Sequence, residues 1–121
     1  MIHGLRTVIY PAPDLAVGKE WYSRMLGKDP YFDQPFYVGF EVGGFELGLI
    51  PDGEQGATGS IAYWGVPDAA AALARLLELG AEMRDDVMEV GGGIKTATVL
   101  DPFGNVFGVI ENPHFDRTKV Q

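Results

Sequence analysis

Two kinds of spacing alternate along the chain. An apolar, β-branched run opens it, and positions 6–10 read as a first strand. Pro11 and Pro13 end that strand, and Asp14 is placed to cap a helix by accepting from an orphan amide. Leu15, Tyr22, Met25 and Leu26 then fall on one helical face, and Gly27 suits the left-handed position that closes a helix. Positions 31–33, 36–42 and 45–50 return to strand-like composition, with Gly43-Gly44 as a tight hairpin turn between the last two.

The Gly-rich, polar stretch 52–60 carries no apolar period and reads as a linker centred on 53–58. The cycle then starts again. A strand-like run at 61–64 precedes Pro67-Asp68, and a helix with the stripe Leu73, Leu76 and Leu77 closes on Leu79-Gly80, as the first closes on Leu26-Gly27. The interval from Asp to Gly differs by one residue between the copies. Gly91-Gly92-Gly93 precedes a strand at 94–100 and lacks the strand-to-helix grammar of a phosphate loop. Asp101-Pro-Phe-Gly-Asn105 is a turn before the closing strand 106–110, and the tail 113–121 is polar. The expectation is one α+β domain over 1–121, built from a module at about 4–52, a second at about 59–112, and the tail.

Composition narrows the partners. A chain of 121 residues is one compact domain's worth. Its net charge of −8 argues against nucleic acid, which needs clustered Lys and Arg, and would suit a cationic ligand as well as simple solubility. No apolar run reaches the roughly 18–20 residues that span a bilayer, and no secretory pattern opens the chain, so a cytoplasmic protein is expected. Cysteine is absent, which removes disulfides, thiolate ligands and a thiol nucleophile.

The tandem strand–Pro-Asp–helix–Leu-Gly pattern resembles the vicinal oxygen chelate superfamily, which includes glyoxalase-type lyases, extradiol dioxygenases and bleomycin-resistance-type drug-binding proteins. The resemblance extends to about residue 115. It implies two tandem βαβββ modules whose curved mixed sheets surround a cavity, helices outside, and a homodimer. It also implies four inward metal-ligand points, usually His and Glu. Matching the strands before each Pro-Asp puts Arg6 at the first and Ser60 at the third, each eight residues before its Asp; Gly108 falls at the fourth. Only Glu46 keeps a ligand-capable side chain, and Gly48 lies on the same face. A permanently charged guanidinium repels a metal, and a divalent ion needs several donors. The expected site therefore holds no metal and no cofactor. His3 and His114 lie near the ends of the chain and read as surface residues.

Alternation would place Arg6, Val8 and Tyr10 on one face, with Ser60, Ala62 and Trp64 on the matching face of the second module, Phe40 pointing the same way and Tyr63 turned against a helix. Aromatic walls with a few polar groups suit a planar organic ligand, though any core contains them. The expected ligand-binding set is Arg6, Tyr10, Phe40, Glu46, Ser60 and Trp64, with Arg6 and Glu46 either a tolerated ion pair or a working one in which Glu46 is the candidate base. The leading function is metal-independent binding of a small organic molecule, as in bleomycin-resistance-type proteins, rather than catalysis. The alternative is a glyoxalase-type lyase, isomerase or dioxygenase with a displaced metal site.

Overall fold

The computed structural model describes residue 3 and residues 5–53, 55–56 and 61–120. Within them the repeat becomes two copies of one topology. Strand β1 (Thr7–Pro11) leads into helix α1 (Leu15–Leu26), and strands β2 (Phe32–Gln34), β3 (Tyr37–Val42) and β4 (Phe45–Ile50) follow. The second copy runs β5 (Tyr63–Gly65), α2 (Ala69–Glu78), β6 (Glu82–Gly91), β7 (Ile94–Leu100) and β8 (Val106–Glu111). The sheets have the orders β1-β4-β3-β2 and β5-β8-β7-β6. In each, the first strand is parallel to the last and the other pairs are antiparallel. The result is the expected α+β pair of mixed sheets, curved but not closed.

Both helices start where the sequence places their caps. The Asp14 carboxylate accepts from Val17 N at 3.2 Å and that of Asp68 from Ala71 N at 3.0 Å. Gly27 ends α1 at φ 70°, where a Cβ would be strained. The expected stripe of α1 packs on the core, and that of α2 does so in part. Helix α1 buries Gly18, Trp21 and Tyr22, with Leu15, Met25 and Leu26 packed beside them. Gly18 fits because a Cβ there would meet the Ala12 methyl at 2.9 Å. Helix α2 buries Ala69, Leu73 and Leu76, an i, i+4, i+7 row, so Leu77 turns outward and is exposed.

Strand β6 is called for by the βαβββ pattern, but its residues carry no strand signal of their own. It is an edge strand whose pairing with β7 shifts register three times, so inward and outward positions do not alternate along it. Gly91 pairs with Ile94, which makes the glycine run the turn of the β6–β7 hairpin.

One core cluster joins the two modules on the helix side of the sheets. Tyr10 lies 5.7 Å from Tyr22 and 5.8 Å from Phe107, ring centre to ring centre, and Trp64 stacks on Phe107 at 6.5 Å. Their polar tips are satisfied within the seam. Trp64 Nε1 donates to the Tyr10 hydroxyl at 2.9 Å, and Trp21 Nε1 to the Leu79 carbonyl at 3.0 Å. The buried Asp101 carboxylate accepts four bonds, each of 2.9 Å: from Phe103 N, Asn105 N, Asn105 Nδ2 and the Tyr22 hydroxyl. Asn105 Nδ2 also reaches the Pro11 carbonyl at 2.7 Å. A buried carboxylate is tolerated only when its lone pairs are met in this way, and here doing so ties the second module's turn to α1 and β1.

Candidate functional site

The face away from the helices is where the two sheets have side chains to spare. In the first sheet Tyr10, Val38, Phe40, Leu47 and Leu49 enter the core with Trp21 and Tyr22 of α1. Strand alternation therefore puts Thr7, Ile9, Tyr37, Gly39, Glu46, Gly48 and Ile50 on the opposite, open face. Pairing assembles them: Thr7 lies opposite Glu46, Ile9 opposite Gly48, and Gly39 opposite Gly48.

Two of these positions are glycine, which leaves room for a ring. The Tyr37 side chain folds over Gly48, where a Cβ would lie 2.6 Å from the ring's Cζ. Its hydroxyl donates to Glu46 Oε2 in a close contact. A Cβ on Gly39 would meet three groups at once: Tyr37 Cε2 at 3.2 Å, Glu46 Oε1 at 3.4 Å and Tyr31 Cε1 at 3.4 Å. Partial burial raises the Tyr37 hydroxyl above the ordinary phenol range, which keeps it a proton donor to Glu46. A half-buried carboxylate between two tyrosines over a glycine floor is the most chemically equipped arrangement on this face.

Of the six residues expected to bind ligand, the structure keeps Glu46 on the open face and moves four others. Tyr10, Phe40 and Trp64 lie on the helix side: Tyr10 and Phe40 are buried, and half-buried Trp64 packs against the core. Burial, with a weaker push from Asp101 and a partial offset from the Trp64 bond, raises the Tyr10 hydroxyl to about 12. Tyr22 is pushed up well above the ordinary value by burial first and Asp101 second. These are core tyrosines. Arg6 precedes β1, is exposed, and bonds through Nη1 to the Leu5 carbonyl at 3.3 Å. Its backbone carbonyl accepts from Glu46 N at 2.8 Å, but among the described residues no ion pair joins the two side chains. Thr7, not Arg6, stands beside Glu46. Ser60 lies outside the described residues. Tyr37 was not among the expected residues, although it shares parity with Gly39 and Glu41 in β3.

In the second sheet Tyr63, expected against a helix, covers Gly108 on the open face. A Cβ on Gly108 would meet Tyr63 Cδ1 at 2.7 Å and the Ala62 carbonyl oxygen at 2.7 Å. Thr98, paired with Gly108, donates to Asp85 Oδ2 at 2.5 Å, and Arg84 Nη1 pairs with the same oxygen at 2.7 Å. His114 holds the tail to the β6–β7 hairpin, with Nε2 2.7 Å from the Gly92 carbonyl. A separate open cleft of about 300 Å³, lined by Leu15, Lys19, Asp33 and Val38 among others, lies beside α1. The Lys19–Asp33 ion pair of 2.9 Å sits at its wall.

The donors on the open faces do not fit a divalent metal. Such an ion needs three or four oxygen or imidazole ligands around one point. Among the described residues no three His, Asp or Glu side chains converge in this way. Thr7 and Gly108 supply no charged ligand, and Glu46 already accepts from Tyr37.

Comparison with known proteins agrees with this architecture. The profile of a glyoxalase-like domain matches residues 7–110. No curated protein matches the chain by sequence. Many solved structures share the fold. A glyoxalase-related enzyme from Fulvimarina pelagi superposes with a TM-score of 0.76 at 18% identity, over 93% of this chain and 90% of that one. A lactoylglutathione lyase from Agrobacterium tumefaciens gives 0.75 at 19% identity, over 96% and 100%. A glyoxalase/bleomycin resistance protein from Catenulispora acidiphila gives 0.69 at 23% identity, over 91% and 100%. At these identities the likeness is one of fold.

Proposed function

The chain belongs to the glyoxalase-like domain family, and on that premise we propose that it binds a small organic molecule, without a metal, on the open face of the first sheet. The mode resembles that of bleomycin-resistance-type members. One observation carries the reading: the half-buried Glu46 carboxylate is oriented by a phenol, Tyr37, whose ring lies over Gly48 and beside Gly39. A polar group fixed beside aromatic rings is what a small ligand needs for orientation and contact. A homodimer goes with this proposal. Ile9, Tyr31 and Tyr63 are exposed on or beside the open faces, and burying them against a second copy would complete the walls of the site.

The same pair favours one other reading. A carboxylate hydrogen-bonded to a phenol can move a proton, which suits an isomerase or a lyase, the latter named among the structural neighbours. Metal analysis separates the two. Untagged protein should carry sub-stoichiometric metal as purified and after incubation with zinc, nickel, manganese or iron. One tightly held ion per chain would overturn the binding reading and put the enzyme first. Sedimentation across a range of concentrations tests the dimer, and a monomer throughout would remove it.

A further inference from the structure

We propose that the ligand of the open face is an organic cation: an ammonium or guanidinium group carried on an apolar frame. The inference rests on the proposed binding role and adds the chemical class. Glu46 divides its two oxygens. Oε2 takes the Tyr37 hydroxyl, whereas Oε1 receives no donor among the described residues. Oε1 is turned onto the glycine floor, 3.4 Å from the point a Gly39 Cβ would occupy. Tyr37 and Tyr31 bracket the same point at 3.2 and 3.4 Å. A carboxylate oxygen with no donor of its own, flanked by two aromatic rings, attracts a compact cation through charge-assisted hydrogen bonding and the ring quadrupoles together. An anion would meet Glu46 head-on. A neutral ligand would cover the carboxylate without satisfying its charge, which costs free energy.

Among the described residues no cation fills the place. Arg6 lies before β1 and is bonded to the Leu5 carbonyl. Lys28 is held by the Glu41 carbonyl at 2.7 Å and by Glu41 Oε2 at 3.0 Å. Glu41, beside Glu46 across the β3–β4 pair, thereby takes up Lys28, and among the described residues no ion pair involves Glu46. The net charge of −8 adds long-range attraction for cations.

The test uses three probes of similar shape, phenethylammonium, 2-phenylethanol and phenylacetate, titrated into ¹⁵N-labelled protein. The expected result is displacement of the Gly39 and Gly48 amide signals, with phenethylammonium binding about tenfold more tightly than the alcohol and phenylacetate weakest. Glu46→Gln keeps an acceptor for Tyr37 and should erase the preference for the cation over the alcohol. Should that variant not fold, raising ionic strength from about 0.05 to about 0.5 M should weaken phenethylammonium but not the alcohol. A cation no tighter than the alcohol, or a preference that survives Glu46→Gln, overturns the cation assignment and leaves the binding site standing. If none of the three probes moves the Gly39 and Gly48 amides, the binding site and the cation assignment fall together.

Discussion

Gly48 and Gly108 occupy the same position in the two modules, yet adding one methyl group to each should have different consequences. Each lies on the open face, opposite the first strand of its own module: Ile9 for Gly48, Tyr63 for Gly108. Gly→Ala in a strand recovers about 0.5–1 kcal/mol by restricting the unfolded chain. At Gly48 the new Cβ would meet the Tyr37 ring, at 2.6 Å from Cζ and 2.9 Å from Cε1. That ring can rotate away. The loss is its bond to Glu46, about 0.5–1.5 kcal/mol for a half-exposed pair, so Gly48→Ala should fall within about 1 kcal/mol of wild type. At Gly108 the Cβ would meet the Ala62 carbonyl at 2.7 Å, the same carbonyl that accepts from Gly108 N at 3.1 Å. Backbone cannot turn aside. The chain before β5 must part from β8, at about 1–3 kcal/mol for overpacking and about 0.5–1.5 kcal/mol for the strained bond. The net cost of Gly108→Ala is about 0.5–4 kcal/mol. Urea unfolding with m-values checked for constancy measures both. Equal midpoints, or Gly48→Ala the less stable, would refute the reasoning from which neighbour can move.

Other outcomes follow from the seam between the modules. Tyr22→Phe removes one of the four donors to the Asp101 carboxylate without opening a cavity and should cost about 1.5–3 kcal/mol. Asp101→Asn replaces one acceptor oxygen by an NH2, so that two of the four donors face another donor, and should cost more, about 3–5 kcal/mol; if urea midpoints rank them the other way, the carboxylate is not the hub. The Tyr10 hydroxyl is raised from 10 to about 12 in the fold, so the folded state holds its proton longer than the unfolded one. That contribution is complete below pH 10 and is lost as pH rises towards 12, at about 1.4 kcal/mol per unit. Chemical denaturation between pH 9 and 12 should show the fall, and an alkaline limb equally steep in Tyr10→Phe would contradict the assignment to Tyr10.

The fold was legible because its punctuation is chemical. Pro-Asp before each helix and Leu-Gly after it specify backbone states that few other residues take, and doing so twice gives the topology. Strand β6 was not legible. Its sequence, Glu82–Gly91, keeps no parity because three register shifts interrupt it, and only Val87 is half-buried. The site was half legible. Glu46 could be found as the surviving ligand-type residue, but the face assigned to Tyr10 and Phe40 was inverted. The two-residue turn Gly43-Gly44 sets Glu41 opposite Glu46 and Phe40 opposite Leu47, so Phe40 cannot share a face with Glu46 and Tyr37 must. That signal is in the sequence. Which face α1 covers is not, because tyrosine and tryptophan suit either a core or a rim. They enter the core here because Trp64 and Tyr10 satisfy each other's polar tips.

That division explains how a fold can persist while its chemistry changes. The residues that fix the two modules together, Tyr10, Tyr22, Trp64, Asp101 and Asn105, face the helices or lie at the seam, and their hydrogen bonds are closed within the protein. The open face contributes little to that seam: Glu46 and Tyr37 are half-buried and Tyr31 is exposed. Substitutions there spare the shared core, and the glycines at 39 and 48 leave a floor on which different side chains can lie. A change of side chains on the open face is therefore one the fold can absorb without loss of its core.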